Sequence, residues 1–145
     1  SRWFGLDDQK KVRADWDDGR RLRGWVAGTD RIDVVLAGRQ SILGRKVALP
    51  VADPSFDFAI PVDGSLPLGG AAPSIIDRRG KPRSMASIPD LGARLRSFSL
   101  EHPEPAAIVA LYDDLGIDRP PTVTRGAALH YRARIETPAG LKELT

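Results

Sequence analysis

The sequence predicts an α+β fold of repeated βαβββ-type modules, in which curved mixed sheets carry their helices on the convex face. Three observations lead there. The stretch Leu22, Arg23, Gly24, Trp25, running into Thr29 and Asp30, is echoed by Leu95, Arg96, Ser97, Phe98, running into His102 and Pro103. Each copy continues into an apolar stripe of helical period. Each then closes with a strand and a turn, Phe56 to Gly64 in the first copy and Leu129 to Gly140 in the second. A repeated strand, helix, strands unit is the signature of an architecture assembled from modules.

Residues 1–19 read as an arm. Asp7 and Asp8 suit a helix start, Val12 and Trp16 lie four apart on one face, and Asp18-Gly19 marks a turn. In the first module, 20–92, a strand is expected from Leu22 to Gly28, with Thr29-Asp30 as the N-cap of a helix and Asp33 in its first turn. Ile32, Val35 and Leu36 form the buried stripe, and Gly38 stops it. Lys46 to Val51 and Ser55 to Val62 read as strands, with Phe56, Phe58 and Ile60 alternating onto one face. A Gly/Pro-rich connection from Ser65 to Pro73 leads to a short strand, Ser74 to Arg78. The aperiodic stretch from Arg79 to Gly92 carries Met85, Ile88 and Leu91, which favours a packed loop.

The second module, 93–145, has a first strand with Phe98 and Leu100 on one side and Ser97 and Ser99 on the other. Pro103, Glu104 and Pro105 fit the first turn of a helix, where proline costs least. Ile108, Leu111, Tyr112 and Leu115 supply the i, i+3, i+4, i+7 stripe, and Gly116 caps the end. A strand around Thr122 to Thr124 precedes the clearest alternation in the chain. Leu129, Tyr131, Ala133 and Ile135 point inward there, and His130, Arg132, Arg134 and Glu136 outward. Pro138, Ala139 and Gly140 turn the chain into a last strand, Leu141 to Thr145.

With 41% hydrophobic and 28% charged residues, a chain of 145 residues has the composition of a globular protein able to bury one good core or two small fused ones. The absence of cysteine excludes a disulfide framework, a thiolate nucleophile and a thiolate zinc site, and agrees with a cytoplasmic location. No apolar run is long enough to cross a bilayer, and the start of the chain lacks the pattern of a signal peptide, so no membrane partner is expected. The net charge of +3 comes from 22 basic and 19 acidic residues scattered along the chain, without the basic stripe a nucleic acid demands. Arg78, Arg79, Lys81 and Arg83 are the one local concentration, read either as a solvated loop or as an anion-recognising one. There is no Gly-rich phosphate loop, serine nucleophile elbow or Cys/His cluster.

Thr29-Asp30 at the first strand-to-helix junction and Thr137-Pro138-Ala139-Gly140-Leu141-Lys142-Glu143-Leu144 at the end resemble the vicinal oxygen chelate superfamily, the glyoxalase, bleomycin-resistance and dioxygenase group. More narrowly, Arg2 to Asp7, Trp25 with Thr29-Asp30, Pro61 to Leu68, Leu100 to Pro103 and Arg134 to Pro138 look like the bacterial glyoxalase-like domain proteins. The resemblance implies a further N-terminal βα module ahead of Arg2-Trp3-Phe4, so such a module is expected to be missing from this chain. It also implies a metal in the concave sheet, held by a His or Gln on a first strand and a Glu on a last strand. Those positions fall on Gly24 and Ser97, and on Asp77 and Glu143. Glycine has no donor and a serine hydroxyl is a poor ligand, which leaves Glu143 and Asp77 as the metal candidates. A divalent metal would need further ligands from a missing segment or another chain.

The two histidines differ in setting. His102 precedes Pro103 at a helix start and has a local structural reading. His130 shares a strand face with Arg132 and Arg134, so the three are candidate ligand-binding residues for a small organic molecule bearing an anionic group. A solvated outer face is the other reading. Three function classes are weighed: a small-molecule-binding domain that is a metal-dependent lyase, isomerase or dioxygenase when complete; a metal-free small-molecule-binding (sequestering) protein; and a structural or self-association module. A homo-oligomer is a further expected partner state.

Overall fold

The protein is described by a computed structural model over residues 3–49, 56–81 and 87–145. In chain order it comprises α1 (Gln9–Asp17), β1 (Val26–Thr29), α2 (Ile32–Leu36), α3 (Gln40–Leu43), β2 (Arg45–Leu49), β3 (Phe56–Ile60), β4 (Ser74–Asp77), β5 (Arg94–His102), α4 (Pro105–Asp114), β6 (Thr122–Arg125), β7 (His130–Thr137) and β8 (Gly140–Leu144). Short 3-10 turns occur at Trp3–Gly5 and Pro67–Gly70. Two compact units emerge, Ser1–Asp7 with Gly24–Ser87, and Asp8–Arg23 with Ile88–Thr145. Each holds one four-stranded, mixed, curved sheet flanked by helices, the α+β class expected of βαβββ-type modules.

In the first unit the strand order is β1-β4-β3-β2, with β1 parallel to β4 and the other pairs antiparallel. Residues in register across strands share a face. Phe58 lies between Val47 and Ile76, and Asp57 lies opposite Asp77. The Asp77 carboxylate accepts a hydrogen bond from the backbone N–H of Ile32 at the start of α2, at 3.4 Å. The face of Asp57, Ala59, Ile75 and Asp77 is therefore the helix side. There Ile32, Leu36 and Leu43 are buried with Ala59 and Ile75. On the opposite side Phe58 and Ile76 are the buried centre of a cluster with Phe4, Val47, Phe56 and Ile60. The rings pack edge to face, Phe4 on Phe58 at 5.8 Å and Phe56 on Phe58 at 6.3 Å, the geometry that the aromatic quadrupole favours.

In the second unit the order is β6-β5-β7-β8, with β5 parallel to β6 and antiparallel to β7. Helix α4 lies against β5 and β6. Ile108 and Tyr112 of α4 are buried with Leu100, Tyr131 and Ala133 of the sheet, and Phe98 stacks on Tyr131 at 5.6 Å. Pro105 occupies the first turn, and the helix ends with the Gly116 N–H bonded to the Asp113 carbonyl and the Ile117 N–H to the Tyr112 carbonyl. With Gly116 at φ 62, this is the glycine-terminated Schellman ending expected from the sequence.

Both units run strand, helix, strand, strand, strand along the chain, yet their strand orders differ. The first strand is an edge in one sheet and interior in the other, so Leu22 does not superpose on Leu95 within one topology. The first strand also begins later than expected. The N–H groups of Arg21 and Leu22 donate to the Thr145 carbonyl, which diverts this segment from the β1 ladder. At α2 the expected Thr29-Asp30 cap is replaced: the N-cap is Arg31, whose N–H binds Thr29 Oγ1, and the next amide is taken by Asp77 from β4. A tertiary carboxylate does the work that a local one was expected to do.

Helix α3, with Leu43 fully buried, was not foreseen, because a single turn has no period to read. The Gly/Pro-rich connection is core rather than spacer, with Pro67, Gly70, Ala71, Ala72 and Pro73 all buried. By contrast Ile88 and Leu91 of the expected packed loop are 60% and 78% exposed. Asp90, two residues before Gly92, instead shapes that stretch by accepting the Gly92 N–H and the Arg94 guanidinium, which hold its pKa down at about 2. Arg2, Pro50, Val51, Ser55, Arg83 and Met85 lie outside the described residues, as does the Trp3 side chain.

Gly44 sits at φ 86, ψ −162, and a Cβ there would overlap the carbonyl of Ile60 at the end of β3. Gly38 is also left-handed, at φ 73, but faces open space. Gly38→Ala is expected to cost about 1 kcal/mol of backbone strain. Gly44→Ala is expected to exceed the roughly 3 kcal/mol that bounds most point substitutions. Urea unfolding midpoints of the two variants measure this, and equal losses would show the steric argument to be wrong.

Candidate functional site

The β7 register builds an open polar face on the second sheet. Tyr131 and Ala133 are buried on the α4 side, so His130, Arg132, Arg134 and Glu136 lie on the other. Across β5 they meet Glu101, Ser99 and Ser97, opposite His130, Arg132 and Arg134 in turn. Thr122 and Thr124 of β6 extend the face beyond Ser99 and Glu101, and Glu143 of β8 lies opposite Arg134. The three predicted ligand-binding residues thus share one surface.

Its charges are paired. Glu143 stands between two guanidiniums, with Arg132 Nη1 at 3.4 Å from Oε1 and Arg134 Nε at 3.3 Å from Oε2. Arg96, set free by the irregularity between Leu95 and Ser97, pairs with Glu136. These side chains are about half exposed, so each pair contributes little to stability. Beneath them, burial pushes the Tyr131 phenol well above its usual pKa, which keeps it protonated. His102, by contrast, accepts the backbone N–H of Glu104 at Nδ1, 3.1 Å, and so shapes the start of α4 as its sequence position suggested.

The positions that the resemblance assigns to a metal do not fit one. Gly24 precedes β1, and the space a side chain would take there is filled by Leu66, whose Cδ2 lies 3.0 Å from an added Cβ. The neighbouring Arg23 adds a cation, whose Nη1 is buried and has no hydrogen-bond partner among the described residues. Ser97 and Glu143 sit two strands apart, with Arg134 in register between them. A guanidinium there opposes a divalent cation and already holds the carboxylate. Asp77 receives the Ile32 N–H on Oδ2 and the Arg79 N–H on Oδ1. Among the described residues no three His, Cys, Asp or Glu side chains converge as a metal site. None of their helices is long and apolar enough to cross a membrane.

Sequence reading missed an ion pair in the first unit. Asp57, 7% exposed, receives Arg79 Nε at 2.8 Å on Oδ2 and Nη2 at 2.6 Å on Oδ1, the paired geometry guanidinium favours. Arg79 reaches it because the Asp77 carboxylate caps the turn and holds Arg79 at φ 52. Twenty-two residues separate the partners and no spacing rule joins them. The Arg79 hydrogen bonds hold the Asp57 carboxyl below its ordinary pKa. A carboxylate with a lowered folded pKa stabilises fully above its unfolded value, about 4, and loses that contribution as pH falls through the folded one. The stability gap between wild type and Arg79→Ala is expected to be widest above about pH 4 and to close in stronger acid. Urea titrations across pH measure it, and a gap that stays constant would refute the assignment.

The glyoxalase-like domain family model matches residues 1–116. The match covers all of the first unit and the second as far as the end of α4, and leaves β6, β7 and β8, with His130, Arg132, Arg134 and Glu143, beyond it. No curated protein and no solved structure matches the chain. The order of elements, the two mixed sheets and the extent of the match agree: the chain belongs to the glyoxalase-like domain family.

Proposed function

We propose that this chain is a small-molecule-binding glyoxalase-like domain acting without a resident metal, with 20–92 and 93–145 as its two modules and 1–19 as an arm. The observation that carries this reading is the Arg132–Glu143–Arg134 arrangement, in which the place of a last-strand ligand is taken by a carboxylate already held between two arginines. That chemistry recognises carboxylates rather than cations. His130 at the head of the strand adds an imidazole N–H donor, and Ser97, Ser99 and Thr122 add hydroxyls on the same face. The ligand is a small organic anion. A lyase, isomerase or dioxygenase activity would call for metal ligands from a segment outside this sequence or from another chain.

An incoming carboxylate competes with Glu143 for the same guanidiniums. Exposed charge pairs are worth at most about 1 kcal/mol each, so Arg132→Ala is expected to weaken binding by about fivefold or less. Changing both arginines should nearly abolish it, and Glu143→Gln should strengthen it. Calorimetric titration with small carboxylates and inorganic phosphate, at low and high salt, reads all three variants. Unchanged affinity in the double arginine variant would overturn the proposal, and so would near-stoichiometric zinc, nickel or iron in purified protein that is lost in Glu143→Gln.

A further inference from the structure

We infer that the Trp3–Gly5 turn is a displaceable plug: the Phe4 ring closes the apolar face of the first sheet, and its release opens that face to a competing neutral, apolar molecule.

The face is set by register. Gly28, Ile76, Phe58 and Val47 follow one another across β1, β4, β3 and β2, so they point the same way, opposite to the helix side. Phe58 and Ile76 at its centre are each 7% exposed, packed against Phe4, Val47, Phe56 and Ile60. Five of these six side chains stand on β2, β3 and β4, where the ladder hydrogen bonds fix them. Phe4 is the sixth, and it comes from the start of the sequence rather than from the sheet. Its ring meets Phe58 edge to face at 5.8 Å. Withdrawing it leaves the strand side chains where they are and uncovers the centre of the cluster.

The backbone that carries the ring is strained. Phe4 lies at φ 55, ψ 26, and Gly5 follows at φ 65. A bulky residue in the left-handed region is an outlier that persists only where its surroundings hold it there, and such outliers gather at switches. What the ring gains on Phe58 offsets what the turn loses, so the closed state is held by the very contact that a competitor would replace. The segment is also divided from the rest of the arm. Ser1–Asp7 groups with the first unit, and the chain passes to the second at Asp8, whose carboxylate caps α1 by accepting the Lys11 N–H at 3.0 Å. A released Phe4 remains part of a chain that re-enters the first unit at Gly24, so its effective concentration at the face stays high and closure is reversible. An apolar molecule and Phe4 then exclude one another, and each shifts the occupancy of the other. The device lies wholly in the first unit and does not depend on the reading of the second unit's polar face.

Nile red, a neutral dye that the arginines of the second unit do not attract, titrated against the whole chain is the test. Gly5→Ala keeps the ring, and because an added Cβ meets nothing within 4 Å, it penalises only the left-handed backbone. The open population, and with it dye emission, should rise about fivefold. Phe4→Ala, with its fold checked by circular dichroism, should raise emission at least as much, and Phe4→Leu, which keeps an apolar cover, should raise it less. Gly38→Ala carries the same backbone penalty at φ 73, again facing open space, and should leave emission at the wild-type level. Saturating dye should also hasten chymotryptic cleavage of the wild type after Phe4, with casein as the protease control. Light scattering should give one mass for wild type and Phe4→Ala; a dimer lost in that variant would mean that the segment is exchanged between copies. That dimer, wild-type emission in Phe4→Ala, an equal rise in Gly38→Ala, or an unchanged cleavage rate would overturn the inference.

Discussion

The buried carboxylate of Asp77 is the constraint on which the first unit depends. From the end of β4 it accepts the first amide of α2 and the amide of Arg79, two donors that would otherwise be unpaired beside a buried chain. One side chain thereby holds the helix to the sheet and bends the strand exit into a left-handed turn. That turn delivers Arg79 to Asp57, which lies opposite Asp77 in register. Two buried carboxylates facing each other would repel; the guanidinium fork and the two amides supply the compensating positive ends. Burial of polar groups at this junction is tolerable because the groups satisfy one another.

The same turn sorts charge between the two faces of the sheet. Arg79 is consumed by structure on the helix side. Arg78, one residue earlier, has the opposite direction and arrives over Gly28.

Strand order separates the two units in a similar way. A first strand beside the last, as with β1 and β4, would bring ligands from both onto neighbouring positions. With β5 in the interior, β7 stands between first and last strands, and what it presents there is Arg134. The second sheet therefore turns a pair of positions associated with metal into a surface of arginines and carboxylates. Element order is shared by the modules, and chemistry follows adjacency.

The sequence by itself determined the α+β class, the helix over the Ile108, Leu111, Tyr112 stripe with its Pro105 start and Gly116 end, and the division of β7 into a buried and a charged face. These were legible because they arise from contacts within a few residues or from a strict period of two. The site was legible only in part: His130, Arg132 and Arg134 do share one face, but that Glu143 bridges the two arginines depends on how β8 registers against β7. The ion pair of Asp57 with Arg79, the capping of α2 by Asp77, and the burial of Pro67 and of Gly70 to Pro73 were decided by tertiary structure alone. In each, the partners are separated by many residues or by a choice of strand order. That choice turns on summed long-range packing, which leaves no local trace in the chain.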